Sequence, residues 1–277
     1  MPVKGLFDYL TRLNLSSFLS KLAGAYSAYG DWLSAKINDC SSRCKTGSGM
    51  QTIYGSLRSG RTHSDATSSD ETAKEVSADA ALILAASSEN VATVVLTALF
   101  YIARDTKLLD RLTRSVSERV DLTENQESCA ITTAVVNESL RMNPPVPGAL
   151  FRELESDVCF DDVHLPRGTL VGVSAYVLHH DEKNFERPEA FLPDRWLNDG
   201  LRCTKEAFCP FGYGVRDCVG KKLAFDVTCQ ILEQLVSQLE WKRSSYCRQT
   251  KLRCEDFFVS YPAEVEAQIR KRRNPAC

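Results

Sequence analysis

The segment that constrains this chain most is Phe211-Gly212-Tyr213-Gly214-Val215-Arg216-Asp217-Cys218-Val219-Gly220. It follows a long stretch punctuated by Pro188, Pro193 and Pro210. It precedes an apolar ladder, Leu223, Val227, Ile231, Leu235 and Leu239, that predicts an amphipathic helix over 219–239. Cys218 therefore falls at a helix N-terminus, where the macrodipole favours thiolate over thiol. Glycines permit conformations and close approaches that other residues forbid. A flat cofactor can lie against such a backbone, with loop amides tuning the sulfur. Arg216 is placed to pair with an anionic group on that cofactor. Spacing alone equally allows a plain structural cysteine in a glycine-rich turn.

The rest of the chain reads as mainly helical with small β pieces. A long helix is expected from about Glu75 to Arg104, a second over 105–120 and a third over 124–142, ending at Asn143-Pro144-Pro145 because proline biases the preceding residue away from helix. Short strands are expected at Leu150–Glu153, Val158–Phe160 and Thr169–Val173, and a strand pair at Phe257–Ser260 and Val265–Ile269. Residues 181–217 form a long irregular segment of the kind that usually carries function. Three regions follow: amphipathic helices over 1–39, a polar linker over 40–73 rich in Ser, Thr, Gly and Asp, and a core over 74–277.

Composition narrows the function. Lys and Arg total 34 against 36 Asp and Glu, so nothing draws the chain generally to nucleic acid or an anionic membrane. The 11 cysteines are odd in number and show no paired CxxC spacing, which argues for free thiols in a reducing compartment rather than a disulfide or zinc framework. The start, Met1-Pro2-Val3-Lys4, lacks a signal-peptide h-region, so no leader or N-terminal anchor is expected. Ala80–Ile102 has the length of a membrane span, but Ser87, Ser88, Glu89 and Asn90 sit at its centre. A central acid costs about 2.5–3.5 kcal/mol on insertion scales, so a helix buried in protein is the reading taken.

The loop Phe211 to Gly220 resembles the haem-binding signature of the cytochrome P450 family. Glu138-Ser139-Leu140-Arg141 is similar to that family's E-x-x-R helix, and its i, i+3 spacing puts acid and guanidinium on one face. Pro193-Asp194-Arg195-Trp196 resembles the P-x-R-[FW] segment, whose Arg195 would complete a Glu138–Arg141–Arg195 cluster. Asn143 to Pro147 and His179-His180-Asp181 fall in the family's order too. The resemblance implies a P450-like fold, a haem whose iron takes the Cys218 thiolate, and O–O cleavage favoured by that thiolate. It implies contacts to the haem from Phe211, Gly212, Gly214, Arg216, Gly220 and Arg152, with Arg216 and Arg152 on the propionates and His179 a weaker candidate there.

Two departures accompany it. Where the family carries [AG]-G-x-[DE]-T, this chain reads Ala86-Ser87-Ser88-Glu89-Asn90. The acid survives as Glu89. Asn90 replaces the usual Thr, and an amide does not pass a proton as a hydroxyl does. The resemblance makes Glu89 and Asn90 the expected catalytic pair of an altered oxygen-activation site; the alternative is a pair of buried polar residues satisfied by backbone or water. The long helix also begins near Glu75, far earlier than the family places it, so an N-terminally truncated fold is expected.

The resemblance implies a monooxygenase acting on an apolar small molecule, in the style of fungal specialised metabolism, with an NADPH-cytochrome P450 reductase-type electron donor. It implies work at the cytoplasmic side of the endoplasmic reticulum, held peripherally. Ala85–Thr93 and Val146–Leu150 are the stretches expected near the haem. The alternatives are a non-catalytic remnant or partner-binding protein without a complete haem pocket, and a thiol or zinc module supported only by cysteine number.

Overall fold

A computed structural model describes residues 69–118, 129–197, 203, 205–243, 251–257, 259–262 and 267–271, with isolated positions between 31 and 57. The expected helices of 1–39 and most of the 40–73 linker lie outside the described residues. The chain forms two compact units, Met1–Ala86 and Ser87–Cys277. In the first, Val76 is buried against Cys40, Leu57 and Ala80. Every candidate site residue named above lies in the second.

The described helices run in order: α1 (Ser69–Ile102), α2 (Thr106–Ser117), α3 (Ala130–Met142), α4 (Ala175–His180) and α5 (Lys221–Gln238). Asp105 caps α2, its carboxylate accepting from the Leu108 amide at 3.0 Å, which satisfies one orphan donor of the first turn. Leu108, Leu112 and Val116 then recur at four-residue steps and are buried. Helix α3 is buried nearly all round, ten of its thirteen residues being inaccessible, so α1, α2 and α5 pack about it. Their shared core includes Val94, Leu99, Ile102, Leu112, Val135 and Leu232.

Helix α1 starts earlier than its apolar run suggests. By length and composition its part from Lys74 to Ile102 could cross a bilayer. Its last turns are instead packed in protein: Thr93, Val94, Val95, Thr97, Ala98, Leu99, Phe100 and Ile102 are all buried. Leu82 upstream is exposed, so burial in protein holds for the C-terminal third and not for the whole helix.

Helix α5 corrects a second expectation. The ladder from Leu223 to Leu239 marks its buried face only in part: Ile231, Leu235 and Leu239 pack partly buried against the core, Thr228, Cys229, Leu232 and Val236 are fully buried, and Leu223 is half-exposed. The reason is geometric. Four residues turn an α-helix by about 400°, so a strict four-residue ladder drifts roughly 40° per step and sweeps about 160° over four steps.

The β content is four two-stranded antiparallel pairs: β1 (Arg152–Glu153) with β4 (Leu170–Val171), β2 (Val158–Phe160) with β3 (Val163–Leu165), β5 (Leu239–Arg243) with β8 (Ala267–Lys271), and β6 (Cys254–Phe257) with β7 (Val259–Pro262). The pairing expected between Phe257–Ser260 and Val265–Ile269 does not occur. The last strand pairs with β5, Trp241 opposite Ile269, and β7 pairs antiparallel with β6. The β6–β7 hairpin is tied to the helices by Ser260. Its carbonyl accepts from the Thr93 hydroxyl at 2.9 Å, and its amide donates to the Pro145 carbonyl at 2.7 Å.

Candidate functional site

The site is built in two layers, a buried ionic knot and the exposed loop above it. The knot centres on Glu138, fully buried on α3. Its Oε1 accepts from Arg141 Nη2 at 2.9 Å and the Leu192 amide at 2.8 Å. Its Oε2 accepts from Arg141 Nε at 3.0 Å, Arg195 Nε at 3.1 Å and Trp196 Nε1 at 2.9 Å. A carboxylate offers about four lone-pair sites, so this one is saturated.

Arg141 is also fully buried and spends all five of its donors. Two N–H groups face Glu138, and the rest reach the carbonyls of His179 at 2.9 Å, Pro188 at 2.8 Å and Ala190 at 3.1 Å. Two carbonyls from the irregular segment and one from α4 thus hang on one guanidinium. That explains how 181–197 keeps its shape without regular secondary structure. Pro193 starts a 3-10 turn, Pro193–Trp196, which delivers Arg195 and Trp196 together to the carboxylate. The sequence motif assigned a role to Arg195 alone. Trp196 was missed, although an indole has a single donor and a buried one normally finds a partner. The next residue back, Asp194, takes a bidentate bond from Arg111 of α2 at 2.8 and 3.2 Å. That pair is half-exposed and worth at most about 1 kcal/mol.

The upper layer is the loop. Its backbone closes on itself: the Gly212 amide donates to Cys209 O at 3.0 Å, Asp217 to Gly214 O at 3.1 Å, and Cys218 to Phe211 O at 2.8 Å. Gly212 and Gly214 have φ of 78° and 76°, in the left-handed region where a side chain is strained. Gly220 then caps α5, and the Ala224 amide reaches its carbonyl at 2.8 Å. Phe211 turns inward and packs on the core.

Everything else on the loop faces out. Cys218 is a free, exposed thiol. On the same loop and the first turn of α5, Tyr213, Val215, Val219 and Leu223 are all exposed, the two valines essentially completely. Apolar side chains rarely stand bare together; such a patch fits a flat apolar partner laid over it. A metal ion bound here finds one sulfur ligand, and no cluster of three His, Cys, Asp or Glu side chains exists among the described residues. One protein ligand would fit an iron that brings its other ligands with it. The loop therefore fits a haem held through Cys218. Arg216 and Arg152 are both exposed and available to carboxylates.

Glu89 and Asn90 sit on a separate element, α1, Glu89 exposed and Asn90 half-buried. They lie one turn before Thr93, the residue that anchors Ser260. Arg152 begins β1, with its guanidinium on the Phe151 carbonyl at 2.9 Å.

His179 lies beneath the loop rather than on its exposed face. Its ring is completely buried, lies against Phe208 and Phe185, and uses Nε2 to accept from the Cys209 amide at 3.1 Å. Burial, then the nearby Arg141 charge, push its pKa down to about 4.

Residues 3–263 match the family model described as Cytochrome P450. The chain belongs to the cytochrome P450 family. A cytochrome P450 monooxygenase from Alternaria alternata, AKT7, is 33% identical over 193 residues, 62% of this chain and 37% of that protein. The monooxygenase apf8 of Gibberella fujikuroi is 29% identical over 211 residues, 71% of this chain and 55% of that protein. Among solved structures, a zebra fish cytochrome P450 with abiraterone superposes with a TM-score of 0.67 at 24% identity, over 80% of this chain and 55% of that one. The haem domain of a cytochrome P450DA mutant gives 0.62 at 17% identity, over 73% and 46%. These likenesses establish the P450 fold, mainly α with small β pieces. The matched stretches span roughly a third to a half of the curated relatives.

Proposed function

We propose that this P450 chain is a haem-thiolate monooxygenase that inserts one oxygen atom of O2 into an apolar small molecule, in fungal specialised metabolism. The observation that carries the reading is the bare thiol of Cys218 within an exposed apolar loop whose backbone is fixed by its own hydrogen bonds. The fungal monooxygenases among its relatives support the reaction class and setting. Electrons would come from an NADPH-cytochrome P450 reductase-type donor, at the cytoplasmic face of the endoplasmic reticulum.

When bound, the haem supplies dioxygen activation driven by electron donation from sulfur. This chain's residues do the rest. Cys218 Sγ is the iron ligand, Arg216 and Arg152 hold the propionates, and Phe211, Gly212, Gly214 and Gly220 set the loop against the ring. Glu89 moves protons by way of water, and the Asn90 amide orients that water without passing a proton itself. Exposed Leu96 and Leu150 offer apolar surface to a substrate.

The first test is the carbon monoxide difference spectrum of the reduced chain, purified after expression with haem supplied. A strongly red-shifted Soret band is the expected result. A band at the neutral-ligand position, or no haem, overturns the proposal. A second test concerns Asn90. Asn90→Thr restores a hydroxyl and is expected to cut hydrogen peroxide released per NADPH consumed by roughly tenfold, below the about 100-fold that a fully positioned acid or base supplies. Unchanged peroxide release would remove Asn90 from the catalytic set.

A further inference from the structure

We infer that His179 is the positioning residue for the Cys218 loop: its Nε2 holds the Cys209 amide and so couples the loop to the buried Glu138–Arg141 knot. The inference rests on the haem-thiolate reading for its consequence, but its geometry stands alone.

The path is continuous. Arg141 Nη1 donates to the His179 carbonyl at 2.9 Å. The His179 ring accepts from the Cys209 amide at 3.1 Å. The Cys209 carbonyl accepts from the Gly212 amide at 3.0 Å, and Phe211, between them, accepts from the Cys218 amide at 2.8 Å. One residue thus meets the knot through its backbone and the loop through its side chain. The Pro210 that follows Cys209 offers no backbone donor of its own, so the Cys209 amide is the loop's entry bond.

Such a bond needs a lone pair on Nε2, which places the ring proton on Nδ1. The surroundings enforce the neutral form. The charged or titratable groups facing the ring are Arg141 on α3 and His180 on its own helix; their charges oppose a second positive charge, and the Arg141 backbone only partly offsets this. Phe185 from the irregular segment and Phe208 beside Cys209 enclose it with apolar rings. The Cys209 thiol, whose pKa burial raises, stays neutral. The ring pKa near 4 keeps the acceptor in place at neutral pH. The folded pKa lies below the usual 6.5, so the neutral contact is complete above that value and is lost as pH falls through about 4.

The test compares the full chain with His179→Phe, which keeps an aromatic ring and loses the acceptor, and His179→Gln, which keeps an acceptor. Hydrogen exchange over 203–218 is read in the haem-free chain, and the share of red-shifted carbon monoxide complex in the haem-loaded one. His179→Phe is expected to speed Cys209 exchange and lower the thiolate-ligated share by about fivefold, the factor matching one net hydrogen bond. His179→Gln is expected to recover most of both. A structural role through packing alone predicts the reverse order, with Phe tolerated and Gln not, and that result overturns the inference.

The wild-type chain provides a reading that no substitution can spoil. Its 15N-labelled imidazole at neutral pH is expected to show Nε2 unprotonated and Nδ1 protonated. The opposite tautomer overturns the inference even if His179→Phe fails to fold. Because exchange and tautomer are read without haem, failure of the monooxygenase reading and failure of this one are separable.

Discussion

Glu138→Ala is expected to destabilise the chain by about 3–5 kcal/mol, the cost of breaking a buried ion pair from one side. Two guanidiniums depend on that carboxylate. Arg141 and Arg195 present no exposed side-chain surface in their pairs with it. Removing the acid leaves two buried positive charges facing each other, and also orphans the Leu192 amide and the Trp196 indole. An unpaired buried donor adds about 1–3 kcal/mol in its own right. A domain of ordinary stability holds about 5–15 kcal/mol in all. Much of the population should therefore lose the packed arrangement of 181–197, whose carbonyls rely on Arg141.

Chemical denaturation of the full chain, followed by far-ultraviolet circular dichroism, measures this. Glu138→Gln is the informative partner: it keeps an acceptor oxygen and removes the charge. If charge neutralisation is what Glu138 provides, Gln should fall close to Ala. A loss below about 1 kcal/mol for Glu138→Ala, the range of a surface pair, would mean the knot is not buried as described.

That contrast shows what was legible in the sequence. The i, i+3 spacing of Glu138 and Arg141 revealed the pair, because helical geometry is local. It could not reveal burial, and an exposed pair of this kind is worth only about 0.2–0.5 kcal/mol. Burial arises from the meander folding over α3, a contact 54 to 58 residues distant along the chain for Leu192, Arg195 and Trp196. His179 was visible as a histidine near an acid, but its acceptor role depends on the Cys209 amide 30 residues on. Nothing at either position marks it.

The same limit governs the strands. Alternation marks Val259 and Ile269 as extended, yet period two says which face a residue takes and not which strand it meets. The partner of β8 turned out to be β5, directly after α5. The loop was the opposite case. Its glycines, its cysteine and the helix start after them are adjacent in sequence, so the local rules that shape it were all readable. What they left open was whether Cys218 is structural or a ligand.

Exposure bears on those two alternatives and yields the second large effect. A structural cysteine is buried, as Cys229 is at 0%, and its loss opens a cavity. Cys218 is exposed, so Cys218→Ala should change the stability of the haem-free chain by no more than about 0.5 kcal/mol, as surface substitutions do. Its effect on the loaded chain should be far larger. The alanine methyl offers the iron no donor atom in place of the sulfur. The red-shifted carbon monoxide band should fall to under about a tenth of wild type, the tenfold change that about 1.4 kcal/mol of lost ligand binding already produces. Cys159→Ala, which removes another exposed thiol on the β2–β3 hairpin, should leave the band intact. A Cys218→Ala chain that keeps its red-shifted band would show that the thiolate comes from elsewhere. A chain that loses both the band and its haem-free stability would return Cys218 to a structural role. Only loss of the band with the fold preserved places the sulfur on the iron.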